Sequence, residues 1–384
     1  MPKAPEAALL QPFPDATAQF EAWLRSQIAI RANDLDFKHE QMATGLFPFM
    51  RATFYRWMQL WPVLCPELAG APSVLAVGDL HLDNFGTWRD QEGRLIWGVN
   101  DFDEAYPLAY TADLVRLAVS GRMAITIDRL RLSPRRAIEA MLDGYRRGLD
   151  AGGTPFVLAE NHPVLRREAS GVLRDPVRFW QRMRAQPENR EVPEPLVRML
   201  TAGLPRDVSP TFRDRRAGLG SLGHVRVVAA GSHNGGLIAR EAKALAPSAC
   251  VWAASSQGAP AIHYPTIVRR AVRAPDPFLQ IKDGFVVRRL APDCSRIEAT
   301  TVRAVRDQAE LAHAMGAETA NIHLGAGPAR IEEVRRHLKS LPEGWLRDAS
   351  KVMLKATQRD FDSWLRWRGQ TPQAGAVSGA ASRL

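Results

Sequence analysis

The chain has 384 residues, a hydrophobic content of 46% and a formal net charge of +10. This length allows a large core and either two domains or one two-lobed unit. No apolar run approaches the roughly 20 residues that a transmembrane helix requires, and the N-terminus lacks the basic start and apolar core of a signal peptide. We therefore expect a cytoplasmic protein with no membrane partner.

The cysteine and charge patterns exclude further classes. Cys65, Cys250 and Cys294 are widely spaced, so neither a zinc site nor a disulfide framework is indicated. The positive charge comes from 44 arginines and only seven lysines. Such a charge can attract nucleotides, acidic substrates or nucleic acid. The basic residues are scattered and match no nucleic-acid-binding motif, so nucleic acid is not an expected partner.

The first 70 residues are predicted to be helical. Apolar residues recur at helical spacing from Ala16 to Leu64, and Thr44-Gly45 and Pro48 interrupt the pattern, which predicts two or three helices. The next segment, Ser73–Val77, is short, apolar and β-rich. It predicts a strand that ends at a Gly-Asp pair.

Residues 71–205 are predicted to form a lobe that contains a β-hairpin and helices. The turn signal Asp90–Gly93 separates residues 85–88 from the strand-like segment Leu95–Val99. From residue 111 to about residue 150 the pattern is helical, and Asp113 is placed to cap the first helix.

Residues 206–300 are predicted to form a β-rich lobe. A glycine loop, Gly218–Gly223, opens an alternating hairpin, and a second hairpin is predicted around Asp283-Gly284, with a helix near residues 264–273 between them. Residues 301–369 are predicted to be helical again, and the tail 370–384 is predicted to be disordered. The pattern predicts an α+β protein.

Two acidic segments flank the first predicted hairpin and indicate a cation site. The first acidic segment is Gly78-Asp-Leu-His-Leu-Asp-Asn84, and the second acidic segment is Asn100-Asp-Phe-Asp-Glu104. Mg²⁺ binds a few carboxylate or amide oxygens and completes its coordination with water and phosphate oxygens. Because the two ends of a hairpin lie side by side, Asp79, Asn84 and Asp101 can meet in space.

The spacing from Asp79 to Asn84 reproduces that of the Asp and Asn in the protein-kinase catalytic loop. The first acidic segment resembles the Gly-Asp-x-His-x-x-Asn motif of the aminoglycoside phosphotransferase and choline kinase branch of the protein-kinase-like fold. Asn100–Asp103 resembles the metal-binding Asp-Phe-Asp of that branch. The resemblance implies a two-lobed, kinase-like phosphotransferase that uses ATP and Mg²⁺, or Mn²⁺, to phosphorylate a hydroxyl group of an unidentified, small-molecule acceptor.

The resemblance also implies roles for individual residues. Asp79 would be the catalytic base, and Asn84 and Asp101 would bind the metal, with Asp103 in or beside the metal shell. The residues expected to support the site are His81, Asp83 and Asp113.

Residues from about 38 to 323 also resemble a bacterial family of unknown function. Its signature is Gly-Asp-x-His-x-x-Asn-Phe-Gly followed by Asn-Asp-Phe-Asp-Glu, and both parts occur here. The resemblance extends to Phe47–Arg51, the glycine loop and Arg288–Leu290.

The order of the two lobes differs from that of an ordinary kinase, in which the glycine loop precedes the catalytic loop. Here the glycine loop lies more than a hundred residues after Asp79. If both assignments hold, the fold is circularly permuted, which is physically plausible where the original termini are close together. A Rossmann fingerprint is disfavoured because the segment after the loop alternates like a strand. The residues expected to cover the phosphates are Gly218, Gly220, Ser221 and Gly223.

The identity of the phosphate-binding cation stays open between Arg240 and Lys243. Arg240 occupies the expected position on the second hairpin strand, and Lys243 is conspicuous in a lysine-poor chain. Glu241 or another acid would orient this cation. Further candidates for contacts with phosphate or an acidic substrate are Arg51, Arg288 and Arg289. Since the expected lysine is displaced, a catalytically degraded protein that only binds nucleotide is an alternative.

The first acidic segment also permits two different kinds of metal site. Asp79-Leu-His81 matches the start of binuclear metallophosphatase motifs, and His81-Leu-Asp83 matches two ligands of a non-haem iron facial triad, so a metal-dependent hydrolase or oxygenase is conceivable. The phosphatase lacks its later motif blocks. The triad needs a second histidine, for which the candidates are His224, His233, His263, His313 and His323. A basic scaffold with salt-bridged acidic loops is a further hypothesis.

Overall fold

The computed structural model of the protein describes residues 11–127, 130–171, 175–254, 261–294 and 304–370. Within these ranges the chain is a mixed α+β protein with several small sheets. The tail predicted to be disordered lies outside the described residues from position 371 onwards.

The helices are α1 (Phe13–Gln27), α2 (Ala32–Ala43), α3 (Leu46–Ala52), α4 (Phe54–Leu64), α5 (Pro66–Ala69), α6 (Tyr110–Thr126), α7 (Pro134–Ala151), α8 (Pro163–Gly171), α9 (Pro176–Arg184), α10 (Glu194–Ala202), α11 (Ala249–Ala253), α12 (Tyr264–Arg270), α13 (Val305–His323), α14 (Pro328–Ser340) and α15 (Trp345–Trp367). The strands are β1 (Ser73–Ala76), β2 (Phe85–Arg89), β3 (Leu95–Val99), β4 (Tyr106–Ala109), β5 (Phe156–Val157), β6 (Thr211–Asp214), β7 (Arg226–His233), β8 (Gly236–Ala244), β9 (Gln280–Lys282) and β10 (Phe285–Leu290).

The N-terminal helices pack through aromatic side chains. Phe20 of α1 stacks on Tyr55 of α4 with ring centroids 4.3 Å apart, and Trp252 of α11 meets both rings edge-on. The region contains more helices than the two or three predicted. Thr44-Gly45 does end one helix as expected, and Thr53 separates two more, because its non-helical backbone interrupts the run between α3 and α4.

The predicted hairpin is confirmed, and it joins the two acidic segments. β2 pairs antiparallel with β3, from Phe85 opposite Val99 to Arg89 opposite Leu95. The backbone N–H of Asn100 donates to the Asn84 carbonyl oxygen at 3.0 Å and continues the ladder. The first acidic segment therefore ends directly beside the start of the second.

The β-rich part of the chain is one five-stranded antiparallel sheet with the order β6-β7-β8-β10-β9. The hairpins β7–β8 and β9–β10 confirm both hairpin predictions. Alternation along β8 places Glu241 and Lys243 on one face of the sheet and Arg240 and Ala242 on the other. The helix predicted for residues 264–273 ends earlier, at Arg270, because Ala271 is extended.

The helical segment predicted from residue 111 to about residue 150 is two helices, α6 and α7. Ser133 caps α7 by accepting a hydrogen bond from the Arg136 N–H, and Pro134 occupies the first helical position, so a new helix starts there. α7 can pack closely on α13 because Gly144 and Gly316 have no Cβ. A Cβ at either position would collide with the backbone of the facing helix. No helix within the described ranges combines the length and apolar character that a bilayer crossing requires.

Candidate active site

The turn at the start of the first acidic segment is held by Asp113. Its carboxylate accepts hydrogen bonds from the backbone N–H groups of Val77 and Gly78 at 2.7 and 2.9 Å, and His323 Nε2 lies 3.0 Å from it. The prediction that Asp113 caps a helix is wrong. It lies inside the first turn of α6, the N-cap is Ala109, and its carboxylate serves the distant turn instead.

Gly78 and Asp79 come shortly after β1 in the chain. The backbone conformation at Gly78 requires glycine. Gly78 has φ +83°, and a Cβ there would collide with the Glu104 carbonyl oxygen. The close approach brings the two acidic segments together at their backbones. Asp79 then projects into a cavity between the segments.

Asp79 is paired with a buried arginine that sequence reasoning missed. Nε of Arg116 donates to Asp79 Oδ1 at 2.7 Å, and the Arg116 Nη2 group bonds both this oxygen and the Met50 carbonyl. The guanidinium lies 5.0 Å from the ring centroid of Phe54 and 4.8 Å from that of Trp57. Burial raises the pKa of Asp79 to about 6, although Arg116 and Arg51 act in the opposite direction.

A single 3-10 turn at residues 82–84 positions His81 and Asn84. His81 Nδ1 accepts from the Asp83 N–H at 3.1 Å, while the His81 N–H donates to Asn84 Oδ1 at 2.6 Å. Asp83 pairs with Nη1 of Arg51 at 2.9 Å. Asn84 Oδ1 can also bind a metal ion, because an amide oxygen accepts two hydrogen bonds or ligands.

The second acidic segment surrounds a lysine ammonium. Nζ of Lys243 lies 2.6 Å from Asp103 Oδ2 and 3.3 Å from Asp101 Oδ1. Burial would raise the pKa of Asp101, but Lys243, Arg288 and Arg226 together lower it. Burial and the neighbouring Asp101 charge raise the pKa of Asp103 to about 6.

Glu241 does not orient Lys243. Its fully buried carboxylate pairs with the guanidinium groups of Arg215, Arg226 and Arg288, and these three charges hold its pKa well below the usual range despite burial. Arg226 also donates to Ser221 Oγ at 2.9 Å. This cluster ties the glycine loop to the sheet.

Arg240 lies away from the acidic segments. Its guanidinium carbon is 4.3 Å from the Phe278 ring centroid, on the other face of β8. Arg289 is 5.7 Å from the same ring and pairs with Asp293. Of the two candidate cations, Lys243 is therefore the one beside the carboxylates.

The glycine loop faces both acidic segments across a cavity of about 60 Å³. Gly218, Gly220 and Ser221 line it together with Asp79 and Asp101. The site residues that also line it are His81, Asn84, Asp103 and Arg51.

Gly220 and Gly223 differ in their contacts. A Cβ on Gly220 would lie 3.5 Å from Asp79 Oδ2 and 3.2 Å from the Arg51 carbonyl oxygen, so the loop rests directly on Asp79. Gly223 has φ +99° and anchors the loop outside the cavity, where its carbonyl accepts from the Arg31 N–H at 2.8 Å.

The cavity lining also includes Lys38, Glu104 and His224, which had no predicted role in a phosphotransferase site. Glu104 accepts hydrogen bonds from Ser248 Oγ and the Ala249 N–H, and burial raises its pKa to about 7. Burial lowers the pKa of His224 to about 3. The rarity of lysine that drew attention to Lys243 applies equally to Lys38.

The cavity is lined by carboxylate and amide oxygens, which are the ligand type that Mg²⁺ prefers. Asp103 Oδ1 is buried without a hydrogen-bond partner, and Asp101 and Asn84 supply further oxygens beside it. Among the described residues, no group of three or more His, Cys, Asp or Glu side chains is arranged to hold a metal ion. A facial triad on His81 and Asp83 therefore has no third ligand, whereas Mg²⁺ would rely on substrate phosphate oxygens.

Part of the chain matches the model of a known protein family. Residues 31–178 match the model of a family described as "Uncharacterized protein conserved in bacteria (DUF2252)". This range includes both acidic segments and ends before the glycine loop. No curated protein and no solved structure matches the chain.

Proposed function

We propose that the protein is a kinase-like phosphotransferase that transfers the γ-phosphoryl group of ATP to a hydroxyl group of a small-molecule acceptor. The observation behind the proposal is the meeting of three separate segments at one cavity, where Lys243 of a fourth segment pairs with two of the lining carboxylates. Asp79, Asn84 and the Asp101–Asp103 pair come from the two acidic segments, and the glycine loop and Lys243 come from a part of the chain far downstream. Phosphoryl transfer needs this combination of a base, metal ligands and a phosphate-covering loop.

Asp79 would act as the base. Its Oδ1 is held by Arg116, and its Oδ2 faces the glycine loop, so the carboxylate is oriented with one oxygen turned to the cavity. In the reaction, the acceptor oxygen forms a bond to the γ-phosphorus while the bond from that phosphorus to the β–γ bridging oxygen breaks. The acceptor proton passes to Asp79, and ADP leaves with the bridging oxygen.

Asn84, Asp101 and Asp103 would hold magnesium, which when bound neutralises charge on the β- and γ-phosphates. Lys243, which lies beside Asp101 and Asp103, would bind phosphate oxygens next to them. Lys243 lies on β8. Along the chain, β8 is the third strand of the five-stranded sheet, and it follows β6, the glycine loop and β7. The phosphate-binding lysine of protein kinases also lies on a third strand.

The proposed fold is a circular permutation of the kinase arrangement. The strand-rich lobe with the glycine loop follows the catalytic segment in the chain, yet both border one cavity. Spatial proximity combined with reversed chain order is the result expected when old termini are joined and new ones are opened.

Nucleotide binding would require the cavity to open. Its volume of about 60 Å³ is far below the roughly 300–1,000 Å³ of pockets for small ligands. The glycine loop is the part that must move, since it rests on Asp79 and carries no bulky side chain at Gly220. Loop opening followed by closure over the substrate is a common way to exclude water.

The test is ATP turnover with a panel of hydroxylated and amino small molecules, in the native protein and in Asp79→Asn. The proposal expects magnesium-dependent ADP formation in the native protein and its loss in Asp79→Asn, with ATP binding retained. ATP binding without turnover in both proteins would favour a nucleotide-binding regulatory protein. The ion pair between Arg116 and Asp79 Oδ1 is the observation that supports a nucleotide-binding regulatory protein as the second candidate function.

A further inference from the structure

Lys38 is a buried lysine at the edge of the cavity that the proposed reaction does not yet use. It lies on α2 with 3% of its surface exposed. The only other buried lysine in the described part of the chain is Lys243, and the remaining described lysines are exposed. Lys38 lines the cavity, and Lys243 pairs with two of the carboxylates that line it.

The ammonium of Lys38 is incompletely paired. Its Nζ donates to the Gly220 carbonyl oxygen at 3.2 Å, although an ammonium carries three donors. Burial lowers the pKa of Lys38, while the charges of Glu21, Glu104 and Asp79 act to raise it. Within the described ranges, none of these carboxylates forms an ion pair with it, and Glu21 pairs with His39 instead. A buried ammonium in this state favours an anion.

The hydrogen-bond partner of Lys38 is the part of the glycine loop that rests on Asp79. A Cβ on Gly220 would lie 3.5 Å from Asp79 Oδ2, so Lys38 contacts the part of the loop that lies against Asp79. Lys243 instead lies beside Asp101 and Asp103. The two lysines thus contact different parts of the proposed site.

Opening of the glycine loop removes the hydrogen-bond acceptor from Lys38. A triphosphate that enters the opened cavity brings anionic oxygens to the same place. We infer that Lys38 exchanges the Gly220 carbonyl for an oxygen of the γ-phosphoryl group and stabilises that group during its transfer. This inference rests on the proposed function. Lys38 would bind the γ-phosphoryl group that is transferred, whereas Lys243 would bind the phosphates that remain on the nucleotide.

The experiment compares dissociation constants for ATP and ADP, each with magnesium, in the native protein and in Lys38→Met, Lys38→Gln and Lys38→Arg. A charge-assisted hydrogen bond to the γ-phosphoryl group predicts that Lys38→Met loses roughly 10- to 100-fold in ATP affinity. The affinity for ADP, which lacks this group, is expected to stay unchanged. Lys282→Met, at an exposed lysine of β9, is the matched control and should bind both nucleotides normally.

Lys38→Gln removes the positive charge but keeps a hydrogen-bond donor, because the glutamine amide can still donate to the Gly220 carbonyl oxygen. The inference predicts that Lys38→Gln loses ATP affinity as Lys38→Met does and that Lys38→Arg retains most of it. Native-like ATP binding in Lys38→Gln, or an equal loss for ATP and ADP in Lys38→Met, would overturn the assignment while leaving the proposed function intact. If the native protein bound neither nucleotide, the proposed function would fail, and this inference with it.

Discussion

The Nζ atom of Lys243 lies 2.6 Å from Asp103 Oδ2, so a strand of the sheet and the second acidic segment are joined by a buried ion pair. The two residues are 140 positions apart in the sequence. The ion pair places one of the two candidate cations, and not Arg240, beside the carboxylates, and it supplies a positive charge to two neighbouring buried carboxylates.

Replacement of Lys243 is expected to weaken nucleotide binding. In Lys243→Met the phosphates lose a cation and Asp101 and Asp103 lose their shared partner, so we expect the affinity for ATP to fall roughly 10- to 100-fold. The measurement is calorimetric titration with ATP and magnesium. Arg240→Met is the matched control on the opposite face of β8, and it should bind ATP normally. A larger loss in Arg240→Met than in Lys243→Met would contradict this assignment.

Activity is expected to rise with pH through the titration of Asp79. The base must be ionised, and its pKa is raised to about 6 by burial, so kcat/KM should fall about tenfold per pH unit below that value. Arg116→Met removes the largest influence that lowers this pKa and should move the acidic limb to higher pH. The measurement is the pH profile of kcat/KM for both proteins.

The control for Arg116 is another buried arginine paired with an aspartate. Arg56 donates to Asp360 at 2.8 Å and does not line the cavity that contains Asp79. Arg56→Met should lower the melting temperature and leave the position of the acidic limb unchanged. An unshifted limb in Arg116→Met would show that Asp79 is not the titrating base.

Gly220 is expected to tolerate no side chain during turnover. A Cβ at this position would lie 3.2 Å from the Arg51 carbonyl oxygen and 3.5 Å from Asp79 Oδ2, so Gly220→Ala should displace the loop by a few tenths of an ångström. Small misplacements at a reacting centre are costly, and we expect kcat to fall about 10-fold or more. Gly236→Ala, at a hairpin tip with more space, should keep native kcat; equal kcat values in the two variants would exclude a role for close loop contact.

Glu318 makes a separate prediction about stability. Its buried carboxyl accepts from the Val99 N–H and from Asn321, and burial raises its pKa from 4.5 to about 7. Because the native state holds the proton more tightly than the unfolded chain, the free energy of unfolding should fall as pH rises from 4.5 to 7 and then level off. The shift corresponds to about 3 kcal/mol.

Glu318→Gln should remove much of this pH dependence, because an amide remains neutral throughout. Denaturant unfolding at pH 5 and pH 8 provides the measurement, and the difference between the two pH values should shrink in the variant. Glu310→Gln, on the same helix but partly exposed, should retain the native difference. An identical pH dependence in all three proteins would mean that Glu318 is ionised in the native state.

Local patterns in the sequence were sufficient to predict the hairpins, because turn residues and alternating apolar positions act over short distances. The meeting of Asp79, Asn84 and Asp101 followed from the hairpin between their segments. The structure agrees with that expectation through the Asn100–Asn84 backbone hydrogen bond.

Long-range partners could not be predicted in this way. The sequence favours a helix cap for Asp113 because capping is the common local role of an aspartate near a helix start, whereas its actual partners lie 35 and 36 residues earlier. The contacts of Lys38 with Gly220 and of Arg116 with Asp79 depend on how helices pack against loops. The available signals were a lysine in a lysine-poor chain and an arginine among the apolar residues of α6.

The most direct test of the proposed phosphotransferase measures ATP affinity with and without magnesium in the native protein and in Asp101→Ala. The proposal predicts that magnesium strengthens ATP binding to the native protein and that Asp101→Ala loses most of this gain. Magnesium-dependent affinity that is unchanged in Asp101→Ala, or no ATP binding by the native protein, would contradict it.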